Sequence, residues 1–242
     1  MAASPSTTFT SIIRSPYIPC HNDVRQVHSI LTADLGFPTE LADMIIDFAE
    51  YWPVLETSRK EHVSVGGSYT NGNNTALLYL LLDEPIPKPQ GEEHVVVRDV
   101  KFRIKSCDQG WSDDRRDHGT YRGSWTWFEA CILRQQRPDA AARPRRPSAI
   151  LQHDPAYAWD FDGWGVAWHN APLERERKVT WRLQTNVCAS GHVREHEIVW
   201  SRHEKEPVAE GSGDGAGFVA ALRPGDYIGV WAKAQASSNR YI

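Results

Sequence analysis

KFRIKSCDQGWSDDRRDHGTYRGSWTWFEAC, residues 101–131, reads as a strand, a polar loop and a second strand. Val100, Phe102 and Ile104 alternate with Lys101, Arg103 and Lys105, the period of two that sets one face of a strand against a core and the other in water. From Asp108 to Gly123 the alternation stops. Asp, Gly, Arg and Ser dominate there, residues that favour turns and cannot build a core. Alternation resumes at Ser124, with Trp125, Trp127, Glu129 and Cys131 on one side and Thr126, Phe128, Ala130 and Ile132 on the other. Both sides are largely apolar, so this strand is expected at the centre of a sheet, covered on two faces, with Trp127 in the core.

Working outward, short apolar runs punctuated by Gly, Pro, Asn and Asp follow one another without intervening helical periodicity. Strands are expected at 62–65, 76–82, 94–106, 124–133, 164–169, 179–189, 193–201, 218–222 and 227–234. This predicts a mainly β protein, an antiparallel jelly-roll-like sandwich. Before it, Val24, Val27 and Leu31 sit at helical spacing. TELADMIIDFAEYW then carries Leu41, Ile45, Phe48 and Trp52 on one stripe, with Thr39 as the expected N-cap. The expected division is a Ser/Thr/Pro-rich tail over 1–22, a small helical pair over 23–53 and the β-sandwich over 54–242. An exposed, basic, proline-rich loop is expected at 134–148.

The chain has 242 residues, ample for one large domain and a small appendage, with a net charge of −4. That balance gives no support to nucleic-acid binding. Its longest apolar run, Ala76 to Leu82, is too short to span a bilayer, and no leader-like apolar run occupies the first residues. A cytoplasmic or nuclear location is therefore expected. Cys20, Cys107, Cys131 and Cys188 have no CxxC or zinc spacing and read as reduced thiols, the last three in small core positions.

No nucleophile elbow, phosphate loop or zinc signature is present, and no cofactor is expected. His192 and His196 have the spacing of a helical metal pair, but VREHEIVW alternates like a strand. On a strand the two stand about 13 Å apart. Asp108, Asp113, Asp114 and Asp117 lie close together beside His118 without EF-hand spacing, and Arg115 and Arg116 offer them partners. No metal site is expected there. Trp111 reads as an anchor that packs this loop back onto the sheet. A second cluster, Trp159, Asp160, Trp164 and His169, has the mixture a sugar site needs: a ring for the C–H face and an acid for the hydroxyls. The candidate ligand-binding residues are thus Asp108, Trp111, Asp117, His118, Trp159, Asp160, Trp164 and His169. The same composition also makes an ordinary sandwich edge.

Two resemblances add to this reading. Phe37-Pro38-Thr39-Glu40-Leu41 followed by Ala42-Asp43-Met44-Ile45-Ile46 resembles the opening of an F-box. That implies a protein partner docking on the N-terminal helices, beside the simpler reading of an amphipathic helix packed on the β part. SCDQGWSDD, GTYRGSWTWFEA, WRLQTNVCASGHVREHEIVW and LRPGDYIGVWA together resemble a group of uncharacterised fungal β-sandwich proteins. That group runs on toward a Gly-Trp segment where this chain has KAQASSNRYI, so a final strand is expected to be incomplete or supplied elsewhere.

The function expected is a non-enzymatic ligand-binding or protein-interaction module that holds a glycan, a small molecule or a protein through Trp-rich loops. The alternative is a small-molecule enzyme using Asp/His acid–base residues in the sandwich mouth. The two differ in one observable. An enzyme gathers at least two of Asp108, Asp117, His118, Asp160 and His169 across one pocket. A binding module exposes Trp faces and leaves the carboxylates solvated or paired to Arg.

Overall fold

The computed structural model describes residues 17–67, 74–88, 95–137, 139, 143–144, 163–167, 169–170, 177–202 and 208–235. The chain divides into two compact units, Met1–Leu55 and Glu56–Ile242.

In the first unit, helix α1 (His21–Ser29) runs into a π-helical turn, Ile30–Asp34, and α2 spans Thr39–Phe48. The first turn of α1 is fixed by Asp23, whose carboxylate accepts from the Cys20 N–H at 2.8 Å and the Tyr17 hydroxyl at 2.6 Å. The cap of α2 is Pro38, not Thr39. Its carbonyl accepts the first helical bonds, from Leu41 and Ala42, and its ring presets the entry angle. The buried residues of α2 are Ala42 and Ile46, one position off the expected stripe. Leu41, Ile45 and Phe48 are instead 41%, 38% and 94% exposed.

The second unit is mainly β and antiparallel. Its strands are β1 (Asn74–Leu81), β2 (Asp99–Ser106), β3 (Thr126–Gln135), β4 (Trp164–Val166), β5 (His169–Asn170), β6 (Arg177–Lys178), β7 (Trp181–Thr185), β8 (Arg194–Ser201) and β9 (Tyr227–Gln235), with a short helix α3 (Phe218–Ala221) before β9. One sheet has the order β1-β9-β3-β4, with β7 also on β3. A second pairs β2 with β8, and β5 with β6 forms a small hairpin.

The central position expected for β3 is observed: β9 lies along one edge, and β7 and β4 share the other. Ala130 and Ile132 face a core shared with Phe102, Ile198 and Trp200 of the β2–β8 sheet and Phe218 of α3. Cys131 and Leu133 face the opposite cluster with Trp164, Tyr227 and Trp231. The first cluster is the filling between two sheets, a sandwich-like arrangement. It is knit by edge-to-face rings, with Phe218 4.9 Å from both Trp181 and Trp200.

Several local expectations are corrected. Residues 62–65 form no strand; this segment is held against β1 by side chains, with Arg59 donating to the Tyr79 carbonyl at 2.9 Å and Thr75 to that of Gly66 at 2.7 Å. Of the strand expected at 218–222, Phe218–Ala221 is helical, because Gly217 turns the chain at φ 77° and both Phe218 and Val219 must be buried, which a strand facing one core does not allow. Trp127 is half-buried. The loop expected at 134–148 is in part structural: Arg134 still belongs to β3 and clamps the buried Asp226 with two bonds of 2.8 and 2.7 Å, Arg143 donates to Asp83, and Pro144 is fully buried.

Candidate functional site

The loop between β2 and β3 is built on Asp108, which is 5% exposed. Its carboxylate accepts from the Thr126 hydroxyl and the Ala189 N–H, both at 2.9 Å. Asn186 completes the floor. It accepts from Ser106 Oγ at 2.7 Å and donates to Thr126 Oγ1 at 2.9 Å and the Cys107 carbonyl at 3.2 Å. Backbone bonds from Asp108 to Ser190, Gly119 to Cys188 and Cys188 to Thr120 tie this loop to the β7–β8 loop. The two loops are therefore one rigid surface at one end of the sandwich, where buried polar groups are mutually satisfied.

The tip of this surface stands outside the core. Trp111 is 63% exposed, so it does not anchor the loop; Asp108 and Asn186 do that. Asp114 caps a 3₁₀ turn, Arg115–Asp117, by accepting from the Arg116 N–H and guanidinium at 3.0 to 3.1 Å. That guanidinium bond holds the Asp114 carboxyl below its usual range. Asp117 stands 3.9 Å from Arg122, and His118 Nε2 donates to the Ser112 carbonyl at 2.8 Å. Nearby, Tyr121 meets His196 edge-to-face at 6.1 Å. Burial, then Arg194, hold the His196 imidazole below its ordinary pKa. Among the described residues, no three His, Cys, Asp or Glu side chains come together as metal ligands.

The other candidate residues lie elsewhere. Trp164 pairs with Gln135 at the far end of β3, about 30 Å from Thr126 by the rise per residue. It is 4% exposed and packs edge-to-face on Tyr227 at 5.1 Å. Trp164 and Asp108 are thus not brought together. His169 lies in β5, where only its backbone is described, and Trp159 and Asp160 fall outside the described residues.

Sequence reasoning missed a second polar assembly, on the face of the large sheet away from the β2–β8 pair. Glu129 Oε2 is 2.6 Å from Lys233 Nζ and accepts from Thr180 at 2.6 Å, while Oε1 accepts from Trp127 Nε1 at 2.7 Å. Arg182 reaches within 3.8 Å of Oε1 and lies over the Trp127 ring at 4.5 Å. Burial pushes the Glu129 carboxyl up, but Lys233, Thr180 and Arg182 together outweigh it and hold the group below its usual range. The signal was one opposite charge in each of two strands otherwise apolar on both faces, Glu129 in WTWFEACIL and Lys233 in GVWAKAQ. Charges so placed must pair. A groove of about 750 Å³ beside β1 is lined by Thr57, Arg59, Glu61, Asp83 and Arg143, and these charges too are paired with one another.

Among the described residues no helix is long and apolar enough to cross a membrane. No family model matches the chain, nor does any curated protein or solved structure.

Proposed function

We propose that this chain is a non-enzymatic binding module of the cytoplasm or nucleus that holds a glycan, another small molecule or a protein on the loop surface at the β2–β3 end of its sandwich. What carries the reading is Trp111: an indole 63% exposed, on a loop pinned from beneath by buried Asp108. In the same loop Asp114 is bonded to Arg116, and Asp117 lies near Arg122. An exposed aromatic face on a loop held from beneath is suited to stacking on an apolar ligand face, and a loop already held in place lowers the entropy cost of binding. Titration of the protein with a panel of glycans and small metabolites, read by tryptophan fluorescence, tests it. A saturable change that Trp111→Ala abolishes is expected. A change that survives Trp111→Ala places binding elsewhere and overturns the reading.

A second contact is favoured by α2, which exposes Leu41, Met44, Ile45 and Phe48 along one face. Such an i, i+3, i+4, i+7 set is what a helix presents to a groove on a protein partner. Given its F-box-like sequence, the partner tested is the adaptor that F-box helices dock on. Co-elution of the purified adaptor, lost in a Met44→Glu/Phe48→Glu variant, is expected; no co-elution removes this contact.

A further inference from the structure

The second sheet has only two strands, and the edges of a two-stranded ribbon carry unpaired backbone groups. β2 and β8 pair over eight residues without a bulge, from Asp99 opposite Ser201 to Ser106 opposite Arg194. The Arg202 N–H donates to the Arg98 carbonyl at 2.8 Å, which sets the phase of the ladder. Even-numbered residues of β2 turn their N–H and C=O toward β8. Asp99, Lys101, Arg103 and Lys105 therefore turn theirs to the outer edge. Among the described residues, β2 pairs with β8 alone.

Beyond Asp99, the side chains of those outward-bonding residues form a basic row, with Lys101, Arg103 and Lys105 at 51%, 67% and 70% side-chain exposure. β8 answers them with Glu197, 3.5 Å from Lys101 and 2.9 Å from Arg103, and Glu195, 3.2 Å from Lys105. Asp99 adds a carboxylate at the end of the β2 row and Glu56 acts on Arg103 as well, so the positive charge is confined to the Lys101–Lys105 part of β2, where three cations stand in a row on one strand. On the inner face of the same strand, Val100, Phe102 and Ile104 pack on the sandwich core.

We propose that the outer edge of β2 is a docking edge for an extended peptide segment of a partner protein that alternates Glu or Asp with apolar residues. The segment adds as a third strand, its amides pairing with Asp99, Lys101, Arg103 and Lys105. Its acidic side chains fall beside the basic row, and its apolar ones extend the inner face over the core. The cations that ward off apolar and like-charged strands select an acidic one. A second copy of this chain pairing β2 to β2 about its centre is disfavoured, since it sets Lys101 against Arg103 twice. The surface is distinct from the Trp111 loop and is tested independently of it.

The experiment uses the full chain and a fluorescently labelled peptide of alternating Glu and Val as long as β2. Two further peptides are compared: the same sequence with Lys in place of Glu, and the Glu peptide N-methylated at alternate amides. Saturable anisotropy is expected with the Glu peptide only, together with new exchange protection of the Lys101, Arg103 and Lys105 amides. A Lys101→Glu/Lys105→Glu variant of unchanged melting temperature weakens binding by about tenfold or more, whereas Trp111→Ala leaves it unaltered. Equal binding of the Lys peptide or of the N-methylated peptide overturns the proposal, and both controls need only the unaltered protein. Absence of binding overturns it too, as does sedimentation showing that the edge is filled by a second copy.

Discussion

Lys233 is the residue on which the charge state of the large sheet turns. It is 6% exposed, and its ammonium lies against the equally secluded carboxylate of Glu129. Lys233→Met keeps the aliphatic stem but strips the carboxylate of its nearest cation, and a loss of about 3–5 kcal/mol is expected in urea unfolding. Double replacement, Lys233→Met with Glu129→Leu, restores much of it, because no buried charge is then left alone. The same site sets a pH dependence. Glu129 has a folded pKa below its unfolded one, so its contribution is complete above the ordinary carboxylate range. Stability is lost as pH falls through that range toward the folded value, and Glu129→Gln should flatten this acid limb in unfolding midpoints taken over a pH series.

Among the elements, the loops at the β2–β3 end depend on Asn186, a 4% exposed amide that joins β2, β3 and the β7–β8 connection. Asn186→Ala leaves Ser106 and Thr126 short of partners and is expected to cost about 1–3 kcal/mol. Limited proteolysis should then cut within 108–123 faster than in the parent. The approach to α3 depends on Gly215. Its φ is +61°, and a Cβ there would overlap the Trp200 indole. Gly215→Ala combines overpacking with left-handed backbone strain, so a loss near or above about 3 kcal/mol is expected in thermal unfolding. A melting temperature equal to the parent's would show that the Gly215 turn relaxes freely.

At the scale of the molecule, the two units are unequal. The β unit has two large clusters on the faces of its main sheet, whereas the described residues of the helical unit bury Pro19 and, in α2, Ala42 and Ile46. A core that small adds little stability of its own. The fragment Glu56–Ile242 is expected to retain the main calorimetric transition of the full chain. A fragment that fails to fold, or melts well below the parent, would show that the helices support the sandwich.

The sequence by itself determined what is periodic and local. Apolar residues on both sides of Ala130 to Leu133 placed β3 at the centre, and the alternation of Val100 to Lys105 made β2 a half-wet strand; both are observed. The loop between them was legible because nothing in Asp108 to Gly123 can fill a core. Tertiary structure alone decided which distant residues meet. It separated Trp164 from Asp108 by the length of β3, buried the one and set Trp111 in solvent, and joined Glu129 to Lys233 across a strand pair. It also made Phe218–Ala221 a helix, since two adjacent side chains had to enter the same core. Side-chain alternation fixes which way a residue points relative to its own strand. Which strand lies opposite, and at what register, depends on pairings between segments far apart in the chain, which local patterns do not encode.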